Sequence, residues 1–169
     1  DAAFEELDRL YEEGEGASAR PDGNVPIGER FPNAVTRRAQ LLCRAFNASD
    51  FDTFAELFAA DYRFRDDRFR PVDLSREEYL ASLAVRFEEQ RDIAWQLRPL
   101  ATRGDRLALL HHDLVVSDAD ASEVEVEVLV VDEVNEAGTG VETVLFAVDD
   151  LDAAYEELDR RFIAGEAAV

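Results

Sequence analysis

The sequence predicts an α+β fold in which a curved antiparallel sheet of four long strands and a short one wraps over helices as a cone. Apolar residues recur with the period of a helix between residues 33 and 89, then with a period of two between residues 92 and 148. A last helical pattern follows residue 150. Helices gathered at one end of an antiparallel sheet are typical of the α+β class. Because such a sheet twists, its concave side is expected to leave room for a small molecule.

The first element is an amphipathic helix over residues 1–13, which ends before Gly14. Its apolar stripe consists of Ala3, Phe4, Leu7, Leu10 and Tyr11. Residues 14–33 contain three prolines and four glycines, a composition that predicts a linker arm.

Two short helices are predicted next, over residues 33–47 and 51–58, with a break at residues 47–50. Ser49 or Asp50 can cap the second of them, and together they form a helical hairpin. The alternation of Tyr62 and Phe64 with arginines predicts a short strand within residues 60–72. A capping box made by Ser75 and Glu78 opens a further helix that runs to about residue 89.

Four long strands follow, separated by polar turns at residues 103–106, 117–122 and 135–140. The clearest covers residues 123–133, where four valines alternate with three glutamates. We interpret the valine row as the inward face, which leaves this strand without an inward carboxyl group. Asp149 or Asp150 caps the closing helix, which ends near Gly165.

The composition excludes several classes of partner. The net charge is −21, from 39 acidic residues and 18 basic residues that are all arginine, so the surface repels nucleic acids and anionic membranes. No run of 18 apolar residues is present to span a membrane. The single Cys43 cannot form an internal disulfide, which favours a cytoplasmic location.

One segment occurs twice, as residues 1–17 and 152–168, with 11 of 17 positions identical. The offset of 151 residues is the length of a domain, not of a solenoid repeat, which is about 20–50 residues. We therefore interpret residues 1–13 as the tail of a preceding unit, 14–33 as a linker and 34–166 as the domain. The absence of methionine also suggests a part of a longer polypeptide, or a matured or engineered chain. The first helix is expected to pack on a neighbouring chain or a sheet surface.

Residues 37–67 and 147–166 carry a family resemblance. RRAQLLCRAFNASDFDTFAELFAADYRFRDD and AVDDLDAAYEELDRRFIAGE resemble the opening and the end of SnoaL-like domains, a branch of the nuclear-transport-factor-2-like (cystatin-like α+β) superfamily. The resemblance implies a domain that binds small molecules or mediates association, as one unit of a larger regulatory or cyclase-type protein. Polyketide cyclases, ketosteroid isomerases and epoxide hydrolases share this fold, so a small enzyme that needs no cofactor is the alternative.

The candidate catalytic residues are His112, Asp67 and Tyr62. His112 shares its strand face with an apolar row, so it is expected to point into the pocket as a general acid or base. An aspartate at the pocket mouth, after the short strand, would have a raised pKa suited to proton abstraction. The competing interpretations are a hydrogen-bonded strand histidine and a solvated Asp–Arg turn.

No metal or cofactor is predicted. His111 and Asp113 share the other face of the strand, but no third ligand follows from the spacing. Gly14 and Gly16 follow a helix instead of joining a strand to a helix, so they do not fit a dinucleotide site.

The pocket is expected to take a small apolar or aromatic molecule. Its predicted lining consists of Phe46, Phe58, Phe64, Tyr79, Leu83, Phe87, Trp95, Leu110 and Val128. A third view makes the domain a homodimerisation module, or one that docks on a neighbouring domain of the same polypeptide. The convex-face residues proposed for that contact are Leu129, Val131, Leu145 and Ala147.

Overall fold

A computed structural model describes residues 31–68, 70–88, 92–117 and 123–166. The helix predicted at residues 1–13 and most of the predicted linker lie outside these ranges. The described ranges contain four helices and six strands. In chain order they are α1 (Ala34–Asn47), α2 (Phe51–Glu56), β1 (Phe58–Asp66), β2 (Val72–Ser75), α3 (Arg76–Glu88), β3 (Asp92–Arg103), β4 (Leu107–Ser117), β5 (Glu123–Val134), β6 (Gly140–Phe146) and α4 (Leu151–Glu166).

The six strands form one mixed sheet in the order β2-β1-β6-β5-β4-β3. The α+β class is confirmed, but the sheet is not wholly antiparallel, because β1 and β6 pair in parallel. The predicted short strand is β1, and it pairs as a hairpin with β2, a sixth strand that was not predicted from the sequence. Local turns in the sequence reveal the meander from β3 to β6. They do not reveal that the chain returns past α3 to place β6 beside β1.

Helix α1 begins at a reciprocal cap. The side chain of Asn33 accepts a hydrogen bond from the backbone N–H of Thr36, and the Thr36 hydroxyl accepts one from the backbone N–H of Asn33. The Asn33 amide also donates to the carbonyl of Leu107 at 2.9 Å. This cap therefore satisfies one of the free N–H groups at the start of the helix and joins its first turn to β4.

The sheet has an apolar core on each face. On the concave face, α1, α2 and α3 cover a cluster that includes Leu110 and Val130. On the convex face, α4 buries Ala154 and Leu158 completely against a second cluster made by Leu109, Leu129, Val131, Val144 and Phe146. No helix within the described ranges combines enough length with enough apolar residues to cross a membrane.

The convex face corrects one expectation for association. Leu129 and Val131 were expected to contact a second copy or a neighbouring domain, but α4 of the same chain covers them. Leu145 lies on the opposite face, where it pairs with Val130 and lines a cavity. The register of β6 on β5 decides this face, and a single strand's sequence does not contain that register.

Ion pairs add to the attachment of α4. Arg161 is 8% exposed at its side chain and binds Glu133, Glu142 and Glu157, with N···O distances of 2.8–2.9 Å. Arg65 of β1 also reaches Glu157, at 3.3 Å. The closing helix is therefore bound to its own sheet through both apolar and charged contacts.

Candidate functional site

A cavity of about 360 Å³ lies between the concave face of the sheet and the helices. Two neighbouring strands each supply three alternate residues to its wall. On β4 these are Leu110, His112 and Leu114, and on β5 they are Val130, Val128 and Val126, each directly paired with its β4 counterpart. The period of two in the sequence therefore produces one continuous wall across neighbouring strands.

Most of the residues predicted to line the pocket contribute to this cavity. They are Phe58, Phe64, Tyr79, Leu83, Trp95, Leu110 and Val128. Phe46 and Phe87 instead pack in the aromatic cluster near Trp95, where the ring centroids of Phe46 and Trp95 are 4.8 Å apart. Phe46 shapes the cavity indirectly, because its ring packs against the indole, and Phe87 packs against Phe46 in turn.

The buried end of the cavity contains a charged network that the sequence reasoning missed. Arg38 of α1 donates to Asp132 of β5 at 2.6 Å, and the hydroxyl of Thr143 donates to the other Asp132 oxygen at 2.7 Å. Arg38 also donates to the carbonyl of Leu57 at 2.8 Å, and its guanidinium carbon lies 4.7 Å from the centre of the Phe58 ring. The network therefore compensates both buried charges with hydrogen bonds.

Asp132 corrects the expectation that β5 presents no inward carboxyl group. The alternation that puts Val126, Val128 and Val130 on the inner face continues to Asp132, which lines the cavity and is 3% exposed. Continuing the count by one step beyond the valines would have found it. The partner Arg38 carries a weaker signal, because it lies on the same helical face as the buried Val35, Ala39 and Leu42.

Gly140 makes room for this network. A Cβ atom at this position would collide with the guanidinium group of Arg38. The position therefore accepts no side chain unless the buried arginine moves.

A second ion pair lies on the cavity wall at the end of β1. Arg68 donates two hydrogen bonds to Asp66, at 2.9 and 2.7 Å, and both residues line the cavity. The hydrogen bond from Arg68 lowers the pKa of Asp66 despite partial burial. The predicted candidate Asp67 is not among the cavity residues, and it accepts a hydrogen bond from Arg65 at 3.0 Å instead.

The three candidate catalytic residues do not converge on one point. His112 lines the cavity, and its ring lies 4.9 Å from that of Trp95. Tyr62 is 1% exposed and is not among the lining residues; its ring packs between Phe58 and Tyr79. Burial raises the pKa of the Tyr62 phenol well above its ordinary value, so this phenol is neutral at physiological pH.

The convex face carries a separate polar cluster. Glu127 of β5 joins His111 and Asp113, and one donor atom from each lies within 4.8 Å of the others. Strand pairing supplies this third donor, since Glu127 is directly opposite Asp113. Arg98 already donates to Asp113 at 2.9 Å and lies 3.1 Å from His111, so a cation would have to compete with a guanidinium.

Comparisons with solved structures confirm the architecture. RV0760c from Mycobacterium tuberculosis, solved in complex with estradiol-17beta-hemisuccinate, is similar with a TM-score of 0.57 and 13% identity, over 67% of this chain and 92% of that one. The Delta 5-3-ketosteroid isomerase from Mycobacterium sp. is similar with a TM-score of 0.53 and 13% identity, over 70% and 95% of the two chains. An LEH-like epoxide hydrolase from M. tuberculosis is similar with a TM-score of 0.52 and 16% identity, over 80% and 96%. At these identities the likeness concerns the fold alone.

The family follows from the sequence itself, although no curated protein matches this sequence. The family model described as "SnoaL-like domain" matches residues 39–143, which is more than half of the chain. This range runs from α1 to β6 and includes most of the cavity wall, together with Asp132. The chain therefore belongs to the family of SnoaL-like domains.

Proposed function

We propose that this domain binds a small, mainly apolar molecule in the cavity of the cone. The observation that carries the proposal is the wall itself, which is mostly aliphatic and aromatic and whose two carboxylates are each paired with an arginine. Concave apolar sites with a few fixed polar groups are the usual form of small-molecule sites in proteins. The volume of about 360 Å³ lies within the usual range of such sites.

The state of the carboxylates favours binding over proton transfer. A general base near neutral pH works best with a pKa close to that pH, which requires a raised value for a carboxylate. The hydrogen bond from Arg68 lowers the pKa of Asp66 instead. Both carboxylate oxygens of Asp132 already accept hydrogen bonds, one from Arg38 and one from Thr143. They are therefore engaged within the cavity wall before a ligand binds.

Structural neighbours supply the first ligands to try. RV0760c was solved with a steroid ester, and the ketosteroid isomerase is named for a steroid substrate. We infer that molecules of this size, rigid and mainly hydrocarbon, suit the cavity. Steroids and fused or linked aromatic rings therefore form the screening panel.

Thermal shift with this panel tests the proposal, because a ligand that binds only the folded state raises the melting temperature. Ser82 of α3 is exposed yet lines the cavity, so Ser82→Trp should block it without disturbing the core. The neighbouring Ala81 is exposed and is not a lining residue, so Ala81→Trp is the matched control. We expect shifts with the unaltered protein and Ala81→Trp that disappear with Ser82→Trp. A panel that moves none of the three proteins contradicts the proposal.

A small enzyme without a cofactor, of the isomerase, cyclase or hydratase type, is the second candidate. The observation that favours it is that His112 and Asp66 both line the same cavity. A β,γ-unsaturated ketosteroid and an aryl epoxide are suitable first substrates. Turnover that His112→Ala or Asp66→Asn abolishes, while the fold is retained, would replace the binding proposal with the enzymatic one.

We also propose that the domain is one unit of a longer polypeptide. The residues that α4 buries most deeply, Ala154 and Leu158, recur as Ala3 and Leu7 in the duplicated segment. A protein lacking residues 1–17 should therefore melt at the temperature of the full chain. A fall of several degrees would assign that segment to this domain. Sedimentation of both proteins would show whether the segment also mediates dimerisation.

A further inference from the structure

The duplicated segment differs from α4 in one residue that matters for docking. Residues 1–15 and 152–166 differ at five positions, which are 155 and 161–164 in α4. Positions 155 and 162 exchange one aromatic ring for another, and positions 163 and 164 are exposed. The fifth is Arg161, whose side chain is 8% exposed and whose counterpart is Leu10.

The apolar stripe does not distinguish the two segments. Ala154 and Leu158 are completely buried against the convex face, and the duplicate has the same residues as Ala3 and Leu7. Both segments therefore offer the same small-large apolar pair to a sheet of this kind. Any preference for one of them has to come from the contacts of position 161.

Arg161 resolves a conflict of charge within the sheet. Glu133 of β5 and Glu142 of β6 are directly paired, and alternation places both on the convex face with Val131 and Val144. Like charges directly opposite each other destabilise a sheet. Nη1 of Arg161 donates to both glutamates at 2.9 Å, and its Nη2 lies 2.8 Å from the other oxygen of Glu142. The arginine therefore bridges the two like charges.

A leucine at this position would leave the glutamates without their common cation. Among the residues that the structure describes, Glu133 has no other cationic partner, while Arg65 stays 3.8 Å from Glu142. Glu157 also contacts Arg161, and the duplicate keeps this acid as Glu6. An apolar side chain here would exclude water from three carboxylates and offer no hydrogen bond in return. The face that suits Arg161 is therefore unsuited to Leu10.

We propose that Arg161 determines which closing helix this convex face accepts, and that residues 1–13 dock on the convex face of a different unit, which has apolar residues in place of Glu133 and Glu142. This rests on the proposal that the domain is one unit of a longer polypeptide. The apolar stripe supplies affinity for any convex face of this kind, and position 161 supplies the selectivity between units.

Four versions of the full chain test the selectivity, because they combine two faces with two helices. The face is unaltered or carries Glu133→Leu with Glu142→Leu, and α4 is unaltered or carries Arg161→Leu. On the unaltered face, Arg161→Leu should lower the melting temperature by roughly 5–10 °C, since three carboxylates lose their cation. On the altered face, Arg161→Leu should raise it by roughly 2–5 °C, because the arginine there has lost two partners.

A graft tests the duplicated segment itself. Five substitutions give α4 the sequence of residues 1–15, and they are Tyr155→Phe, Arg161→Leu, Phe162→Tyr, Ile163→Glu and Ala164→Glu. The full graft should melt as low as Arg161→Leu alone. The matched control is the graft that keeps Arg161, which should melt within about 2 °C of the unaltered protein because its changes are aromatic exchanges or exposed.

Circular dichroism melts of these proteins decide the matter. If Arg161→Leu lowers the melting temperature equally on both faces, Arg161 contributes stability without selectivity and the proposal is wrong. If the graft that keeps Arg161 falls as far as the full graft, the discrimination lies at other positions and the proposal is again wrong. An Arg161→Leu protein that fails to fold counts as the expected loss only if the altered face restores folding, and otherwise counts against the proposal.

The proposal of a longer polypeptide can fail independently. Deletion of residues 1–17 tests it, and that deletion changes no residue of α4 or of the convex face. A fall in melting temperature on deletion, together with a reversed preference on the altered face, would keep the selectivity of Arg161 and reject the separate unit.

Discussion

The guanidinium of Arg38 donates a hydrogen bond of 2.6 Å to the carboxylate of Asp132, and the two side chains are 2% and 4% exposed. They lie 94 residues apart in the chain and join α1 to β5 at the buried end of the cavity. A buried ion pair of this kind is costly to break, because removal of one partner leaves the other charge in a low-dielectric site.

Asp132→Ala should therefore destabilise the domain by about 3–5 kcal/mol, the usual cost of an uncompensated buried charge. Urea unfolding followed by circular dichroism measures this. The double variant Arg38→Met with Asp132→Leu should recover most of the loss, because neither charge remains. A single-variant loss below about 1 kcal/mol would mean that water reaches Arg38 and that this end of the cavity is open.

Gly140→Ala is expected to destabilise the fold through contact with the same arginine. The new Cβ would collide with the Arg38 guanidinium, and overpacking of a buried site typically costs about 1–3 kcal/mol. Gly165→Ala is the control, because its Cβ meets no atom within 4 Å and the residue lies in α4. The control should be neutral or slightly stabilising, since alanine is the better helix former. Equal unfolding midpoints for the two variants would contradict the prediction.

The docking of α4 should depend on its apolar stripe. Leu158 is fully buried against the convex face, so Leu158→Ala should cost about 2–5 kcal/mol. Ile163 lies on the same helix but is 66% exposed, and Ile163→Ala should change stability by less than about 0.5 kcal/mol. Chemical unfolding of both variants gives the comparison. Similar losses of unfolding free energy in the two variants would contradict the assignment of Leu158 to the convex core.

Acid should weaken the attachment of α4 through Glu157. Burial alone would raise the pKa of Glu157, but hydrogen bonds from Arg160 and Arg161 outweigh it and lower the pKa to about 2, from an ordinary value of 4.5. Because the folded value lies below the unfolded one, the contribution to stability is complete above about pH 5 and is lost as the pH falls towards 2.

Unfolding free energies between pH 7 and pH 3 check the role of Glu157. Glu157→Gln should flatten the acid limb of the stability curve, whereas Glu156→Gln, on an exposed neighbour, should leave it parallel to that of the unaltered protein. Comparison with this control removes the change in repulsion that titration of the other carboxylates causes. An unchanged acid limb in Glu157→Gln would show that the arginines find other partners.

The sequence patterns predicted most elements because those elements depend on neighbours in the chain. The Ser75–Glu78 capping box is present at the start of α3, with a hydrogen bond of 2.8 Å between the side chains. The orientation of His112 towards the cavity was also predicted from neighbours in the chain, because adjacent residues of a strand face opposite sides of the sheet. The end of β1 shows where such local patterns stop being sufficient. Asp66 and Asp67 are adjacent in the sequence, but only Asp66 lines the cavity.

By itself, the sequence determined the α+β class, the meander of long strands, the closing helix and most of the aromatic and aliphatic residues of the cavity wall, because hydrophobic period and capping act over a few residues. Only the tertiary structure decided that β1 runs parallel to β6, that α4 covers Leu129 and Val131, and that Arg38 meets Asp132. Each of these depends on register or on contacts between distant segments. Burial of apolar faces supplies the free energy, and the charges that the same packing buries must find partners from distant segments, which no local pattern records.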